Sequence, residues 1–160
     1  MKKRYFLAAL LLTLTFLTCC AVALADNDVP PPEQISDDLN FSLVDWYLDV
    51  MPMADDLKIT RATTGIYRLD STHIGLRGVT QTNKICAHIK GYMVVQQWKN
   101  NQWNKYTSAS YSVFGKAEGS GEFSISVESG YYYRLVMDHY ALDYEGNNAF
   151  KGLTTEAVLF

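Results

Sequence analysis

Phe123-Ser124-Ile125-Ser126-Val127 is the stretch on which the reading of this 160-residue chain turns. Its apolar side chains occupy every second position, and Glu122, Ser124, Ser126 and Glu128 fill the places between and around them. A β-strand sends successive side chains to opposite faces, so Phe123, Ile125 and Val127 point to a core and the polar set points to water.

Outward from there the same period recurs. Tyr133, Leu135 and Met137 repeat it after a Ser129-Gly130 turn. Ile89, Met93 and Val95 form a third row, with Gly91 in line as an expected bulge. Ile74 and Leu76 with Gly78 form a fourth. Ile66 or Tyr67 with Leu69, Tyr111 with Val113, and the run from Leu153 to Phe160 supply three more. Turn residues separate them at Asp70-Ser71, Thr82-Asn83, Lys99-Asn100-Asn101, Gly115 to Gly121 and Glu145-Gly146-Asn147-Asn148. About seven strands in roughly 100 residues, with no helical segment among them, predict an all-β domain over residues 58–160. Its fold is an antiparallel two-sheet β-sandwich of the immunoglobulin or fibronectin kind.

Two local features agree. Trp98 and Trp103 flank a polar four-residue turn, the geometry in which two aromatics pair across a hairpin. Gly130 precedes Tyr131-Tyr132-Tyr133, as at the corner of such sandwiches where a tyrosine hydroxyl bonds back to upstream backbone, and Tyr133 is the matching position.

The N-terminal third reads differently. Lys2, Lys3 and Arg4, then the apolar run Tyr5 to Leu17, then Ala23-Leu24-Ala25 have the form of a signal peptide over residues 1–25, too short in its apolar part to cross a bilayer at about 20 residues per span. Export follows as the expectation, with release outside the cell. Lipid anchoring at Cys19 or Cys20 is the weaker alternative, because no small residue precedes either as a lipobox requires. Residues 26–57 form an acidic, Pro30-Pro31-Pro32-containing tail. Within it Phe41, Val44 and Leu48 recur at helical spacing, so residues 41–51 are expected as a short helix or as a segment packed on the domain, covering a sheet edge or docking a partner through Trp46.

Cleavage after Ala25 removes three basic residues and no acidic one, which takes the net charge from −3 to −6. Such a surface repels phosphate backbones and anionic lipid, so no nucleic-acid partner is expected and the membrane is met only during export. Cys86 is then the one cysteine left, and its neighbours Ile85, Ala87 and Ile89 place it as a buried strand residue.

Residues from about Thr63 onward resemble a family of small secreted proteins of Gram-positive bacteria with a domain of unknown function, DUF6147. The likeness rests on Gly65-Ile66-Tyr67, the strand from Ile89 to Gln97, the Trp98/Trp103 hairpin, and Ser129-Gly130-Tyr131-Tyr132-Tyr133-Arg134 followed by His139. It implies an exported β-sandwich and brings no catalytic residues with it.

Chemistry-bearing groups are sparse. There is no Gly-x-Ser-x-Gly elbow and no paired metal-ligand spacing in the mature chain. A hydrolase, the least favoured reading, would use His139 or Cys86, and His139 is expected as a hydrogen-bonded histidine at the rim. Asp143, Glu145, Asn147 and Asn148 around Gly146 offer oxygens suited to calcium, without the full length or closing Glu of an EF-hand, so neither metal nor cofactor is expected. Aromatics are the stronger signal, at 13% with eleven tyrosines. With Tyr133 inward, Tyr132, Arg134 and Tyr140 face outward, and Tyr92 and Trp98 lie on the face away from Ile89 and Met93. Such a belt suits a platform for cell-wall glycan or extracellular protein. A non-catalytic binding module is therefore the expected function. The alternative is a secreted antimicrobial or pore-forming protein, for which the Ser/Thr-rich Thr107 to Ser112 is a modest indication.

Overall fold

The computed structural model describes residues 41–48 and 56–160. Nine strands are found among the described residues. They are β1 (Phe41–Tyr47), β2 (Ile59–Arg68), β3 (His73–Cys86), β4 (His88–Lys99), β5 (Gln102–Val113), β6 (Lys116–Ser126), β7 (Tyr132–Leu142), β8 (Asn148–Thr154) and β9 (Val158–Leu159). One sheet has the order β1-β2-β3-β6; the other has β5-β4-β7-β8, with β9 beside the N-terminal end of β7. All pairings are antiparallel. Hairpin β2–β3 lies in the first layer and hairpins β4–β5 and β7–β8 in the second, and the long-range pairs β3–β6 and β4–β7 lock them, an immunoglobulin-type β-sandwich.

The founding stretch lies as its period dictates. Val127 is buried, Phe123 and Ile125 are half-buried, and Glu122, Ser124, Ser126 and Glu128 are exposed. Facing layers bury Ile66, Ile74 and Leu76 against Ile89, Met93, Val95, Leu135 and Met137, all without solvent contact. Ile66 rather than Tyr67 is the inward residue of β2, and Leu69 lies beyond its end, half exposed.

Several expectations need correction, among them the turns at Thr82-Asn83 and Gly115 to Gly121, which lie within β3 and, from Lys116 on, within β6. The strands number nine, not seven, because β1 and the split of the C-terminal run into β8 and β9 were not resolved by pattern. Residues 41–47 form a strand and not a helix. Ser42, Val44 and Trp46 turn inward at period two, and all seven residues pair with β2, so the tail does cover a sheet edge and the domain begins no later than Phe41. The remainder of the helical reading, residues 49–51, lies outside the described residues, as do the signal peptide and residues 26–40. Gly91 is not a bulge: it stays in register with Tyr111 and His139, and a Cβ there would run into the Tyr111 ring and the Met137 methyl. The bulge falls between Val95 and Gln96, where Tyr106 is the extra residue on β5. Finally, the Trp98/Trp103 turn has two residues rather than four. Lys99 pairs with Gln102, and Asn100 and Asn101 both have φ of 56°, the left-handed conformation that a tight hairpin turn demands and asparagine tolerates.

The open edge β8 is protected by Lys151, whose ammonium lies 4.2 Å from the Trp46 ring centroid across the gap between layers. An inward-turned charge on an edge strand discourages pairing with another chain.

Candidate functional site

The outer face of the second sheet is held by the corner at the start of β7. Tyr133 is fully buried, and its hydroxyl donates to the Glu128 carbonyl at 3.0 Å and accepts from the Glu128 N–H at 3.1 Å and Gln97 Nε2 at 2.8 Å. Gly130, with φ of 89°, makes the turn that brings the chain back. Burial pushes the Tyr133 phenol up to about 12, against the opposing pull of the Glu128 and Gln97 bonds. With Tyr133, Leu135, Met137 and His139 pointing in, strand geometry sends Tyr132, Arg134, Val136, Asp138 and Tyr140 out.

Cross-strand register builds the face from these residues. Tyr140 lies between Lys90 on β4 and Phe150 on β8. Asp138 lies between Tyr92 and Gly152, and Val136 between Val94 and Thr154. Ser108, Ser110 and Ser112 extend the rows on β5 opposite Val94, Tyr92 and Lys90. Phe150 is 64% and Tyr92 37% exposed, Tyr132 and Tyr140 are half-buried, and Asp138 is exposed. The missing side chain at Gly152 leaves a shallow trough beside Asp138 and the Phe150 ring, both in contact distance of where a Cβ would stand. Tyr92 Oη accepts from Lys105 Nζ at 3.4 Å; its bonds to Ser108 and then Lys105 hold the phenol below its ordinary value. The result is three aromatic rings around a carboxylate, with hydroxyls and ammonium groups at the rim.

The other end of this face is consolidated rather than open. Trp98 is buried, packed edge-on against Trp103 with centroids 5.3 Å apart, so it is a structural residue and not the stacking surface expected of it. Arg134 lies 4.3 Å over the Trp103 ring and donates from Nε to Gln96 Oε1 at 2.7 Å. Of the residues singled out from sequence, Tyr92, Tyr132 and Tyr140 remain presented. Asp138 and Phe150 complete the site. Parity with Arg134 and Tyr140 could have placed Asp138, whereas Phe150 becomes visible only through its pairing with Tyr140.

His139 is not at the rim. It is fully buried between the sheets, with Nε2 2.8 Å from Thr64 Oγ1 and Nδ1 2.8 Å from Thr80 Oγ1, and Thr80 Oγ1 lies 2.7 Å from Tyr111 Oη. A neutral imidazole donates from one nitrogen and accepts at the other, so two threonines can satisfy it without a charge. Burial pushes the ring down to about 4 and the Tyr111 phenol up to about 12. Cys86 is buried as expected, with its Sγ 3.4 Å from Thr82 Oγ1 and 3.5 Å from the Lys84 carbonyl. The partners of these two side chains are hydroxyls and backbone, not each other.

The oxygens offered to calcium are engaged within the β7–β8 turn. Asp143 Oδ1 accepts the N–H groups of Glu145 and Asn147 at 2.9 and 2.8 Å, and Oδ2 accepts Asn147 Nδ2 at 2.9 Å and Lys84 Nζ at 2.8 Å. Lys84 first, then Asn147, holds the Asp143 carboxyl well below the usual carboxylate range. The Lys84 ammonium thus takes the place that a cation would occupy on Asp143. Among the described residues, no group of three or more His, Cys, Asp or Glu is placed to hold a metal.

No family model matches the chain, and no curated protein matches it either.

Proposed function

We propose that this chain is exported, loses residues 1–25, and acts outside the cell as a non-catalytic binding module, taking cell-wall glycan or an extracellular protein on the outer face of the second sheet. The observation that carries this reading is the grouping of Tyr92, Tyr140 and Phe150 around Asp138 and Gly152. Aromatic rings stack on the apolar faces of sugars or on partner side chains, and a carboxylate, serine hydroxyls and lysines beside them fix orientation by hydrogen bonding. The shallow form of the face suits a ligand that is itself extended. The acidic balance disfavours phosphate-rich partners.

A glycan array combined with a pull-down on purified cell walls tests the proposal. Binding should be lost in Tyr140→Ala and in Tyr92→Ala while circular dichroism stays that of the parent protein. Absence of any ligand in both formats, or retention of binding by both variants, would refute it.

A further inference from the structure

The opposite face of the sandwich carries two adjoining clefts. The first, about 250 Å³, is lined by Phe41, Leu43, Gly65, Tyr67, Arg77 and Glu122. The second, about 320 Å³, is lined by Arg77, Val79, Glu118, Ser120, Gly121 and Glu122. They share Arg77 and Glu122, whose Nε and Oε1 are 3.5 Å apart. Register explains the arrangement. Leu43, Gly65, Arg77 and Glu122 form one row across β1, β2, β3 and β6, and Phe41 pairs with Tyr67 in the row beside it. Gly65 contributes no side chain, so the first cleft has a backbone floor between apolar walls; Phe41 and Leu43 are 43% and 46% exposed. Towards β6 the lining turns polar and acidic, with Glu118 and Glu122 beside Arg77; Arg61, in the cross-strand row of Glu118 and already paired with Asp45, is a further cation of this face.

We propose that these clefts bind an extended peptide segment of a basic partner protein, with a large apolar side chain in the first cleft and a lysine or arginine in the second. The clefts lie one to two strand spacings apart, about 5–10 Å. Side chains two residues apart on an extended chain project to the same side about 7 Å apart, and the long stem of a basic residue covers the remainder. Charge supports the same occupant: the second cleft is net acidic, and the whole chain carries −3, which draws a cationic partner and repels an anionic one. This site is independent of the aromatic face on the other sheet.

The probe is fluorescein-labelled Lys-Ser-Phe-Ser-Lys-Ser-Phe, followed by anisotropy on the purified chain, with the peptide carrying glutamate for lysine as control. The lysine peptide should bind saturably and lose affinity with added salt. Glu118→Lys and Leu43→Ala should each weaken it about tenfold. Tyr140→Ala, on the opposite face, should leave it unchanged. Phe41→Ser replaces Leu43→Ala if the latter lowers the melting midpoint. The proposal is overturned by equal binding of the two peptides, by no saturation up to about 1 mM, by undiminished binding in both cleft variants, or by loss in Tyr140→Ala. Displacement by an uncharged oligosaccharide in place of salt would also overturn it.

Discussion

Strand β7 presents two rows of side chains from one backbone. Tyr133, Leu135, Met137 and His139 have no solvent contact, whereas Tyr132, Arg134, Val136 and Tyr140 are half-buried and Asp138 is exposed. The inner row takes partners beside it, around a corner and across the sandwich: Tyr133 takes Gln97 on the neighbouring β4 and the Glu128 backbone, and His139 takes Thr64 and Thr80 of the other sheet. In the outer row, Arg134 takes Gln96 on β4 and Trp103 on β5, both strands of its own sheet. The contrast shows how one strand separates two duties. Residues that fix the relative position of the layers face inward, so those facing outward are released from that constraint.

Substitutions can therefore pull the two rows apart. Met137→Ala should have the largest effect, about 2–5 kcal/mol, because the side chain is fully buried where its methyl meets Gly78 and Gly91, and truncation opens a cavity between the layers. Urea unfolding of the purified domain measures it. An effect no larger than that of Val136→Ala would mean that the two rows do not differ.

Acid comes next. The folded protein holds His139 at about 4, whereas an unfolded histidine titrates near about 6.5. Between those values the unfolded chain takes up a proton that the folded chain refuses. The stabilisation is complete above about 6.5 and is lost as pH falls toward 4, amounting to about 3 kcal/mol. The Asp70 carboxylate, brought down to about 2 by the Thr72 N–H and then His73, acts below that window. Unfolding at pH 7, 5.5 and 4 should trace the loss. His139→Gln, whose amide can still both donate and accept, should flatten it, and an unchanged slope in that variant would assign the acid sensitivity elsewhere.

Tyr133→Phe should cost about 2 kcal/mol, since it leaves Gln97 Nε2 and the Glu128 N–H without their acceptor. Its burial sharpens the comparison with Tyr140→Ala, which removes a larger group from the outer row. That variant should change stability by less than about 1 kcal/mol while abolishing ligand capture. If Tyr140→Ala destabilises more than Tyr133→Phe, the outer row is part of the core and the binding proposal weakens with it.

The legibility of the chain divides along the same line. The strand from Phe123 to Val127, the inward run Tyr133, Leu135 and Met137, and the corner at Gly130 were readable because each depends on residues close in sequence. Residues 41–47 left two readings open, because Phe41, Val44 and Leu48 mimic helical spacing; pairing of all seven residues with β2 outweighs that local signal and gives the edge-covering one. Part of the candidate site could be read from parity alone, which put Tyr132, Arg134 and Tyr140 on one outward face. Trp98 carried two readings, pairing with Trp103 and outward stacking; the structure gives the pairing, and its burial depends on Trp103 across a two-residue turn and on how Arg134 settles over that ring.

Alternation along the chain determined which side of β3, β4, β6 and β7 is apolar, and with it the all-β class and the pairing of two layers, since period two is a property of the backbone itself. The tertiary structure decided everything that needs a distant partner: His139 in the core between Thr64 and Thr80, Lys84 closing on Asp143, Phe150 beside Tyr140, and the clefts over Gly65. Such contacts join residues from 10 to 75 positions apart, and what sets them is which strands become neighbours and in what register, information that no single strand carries.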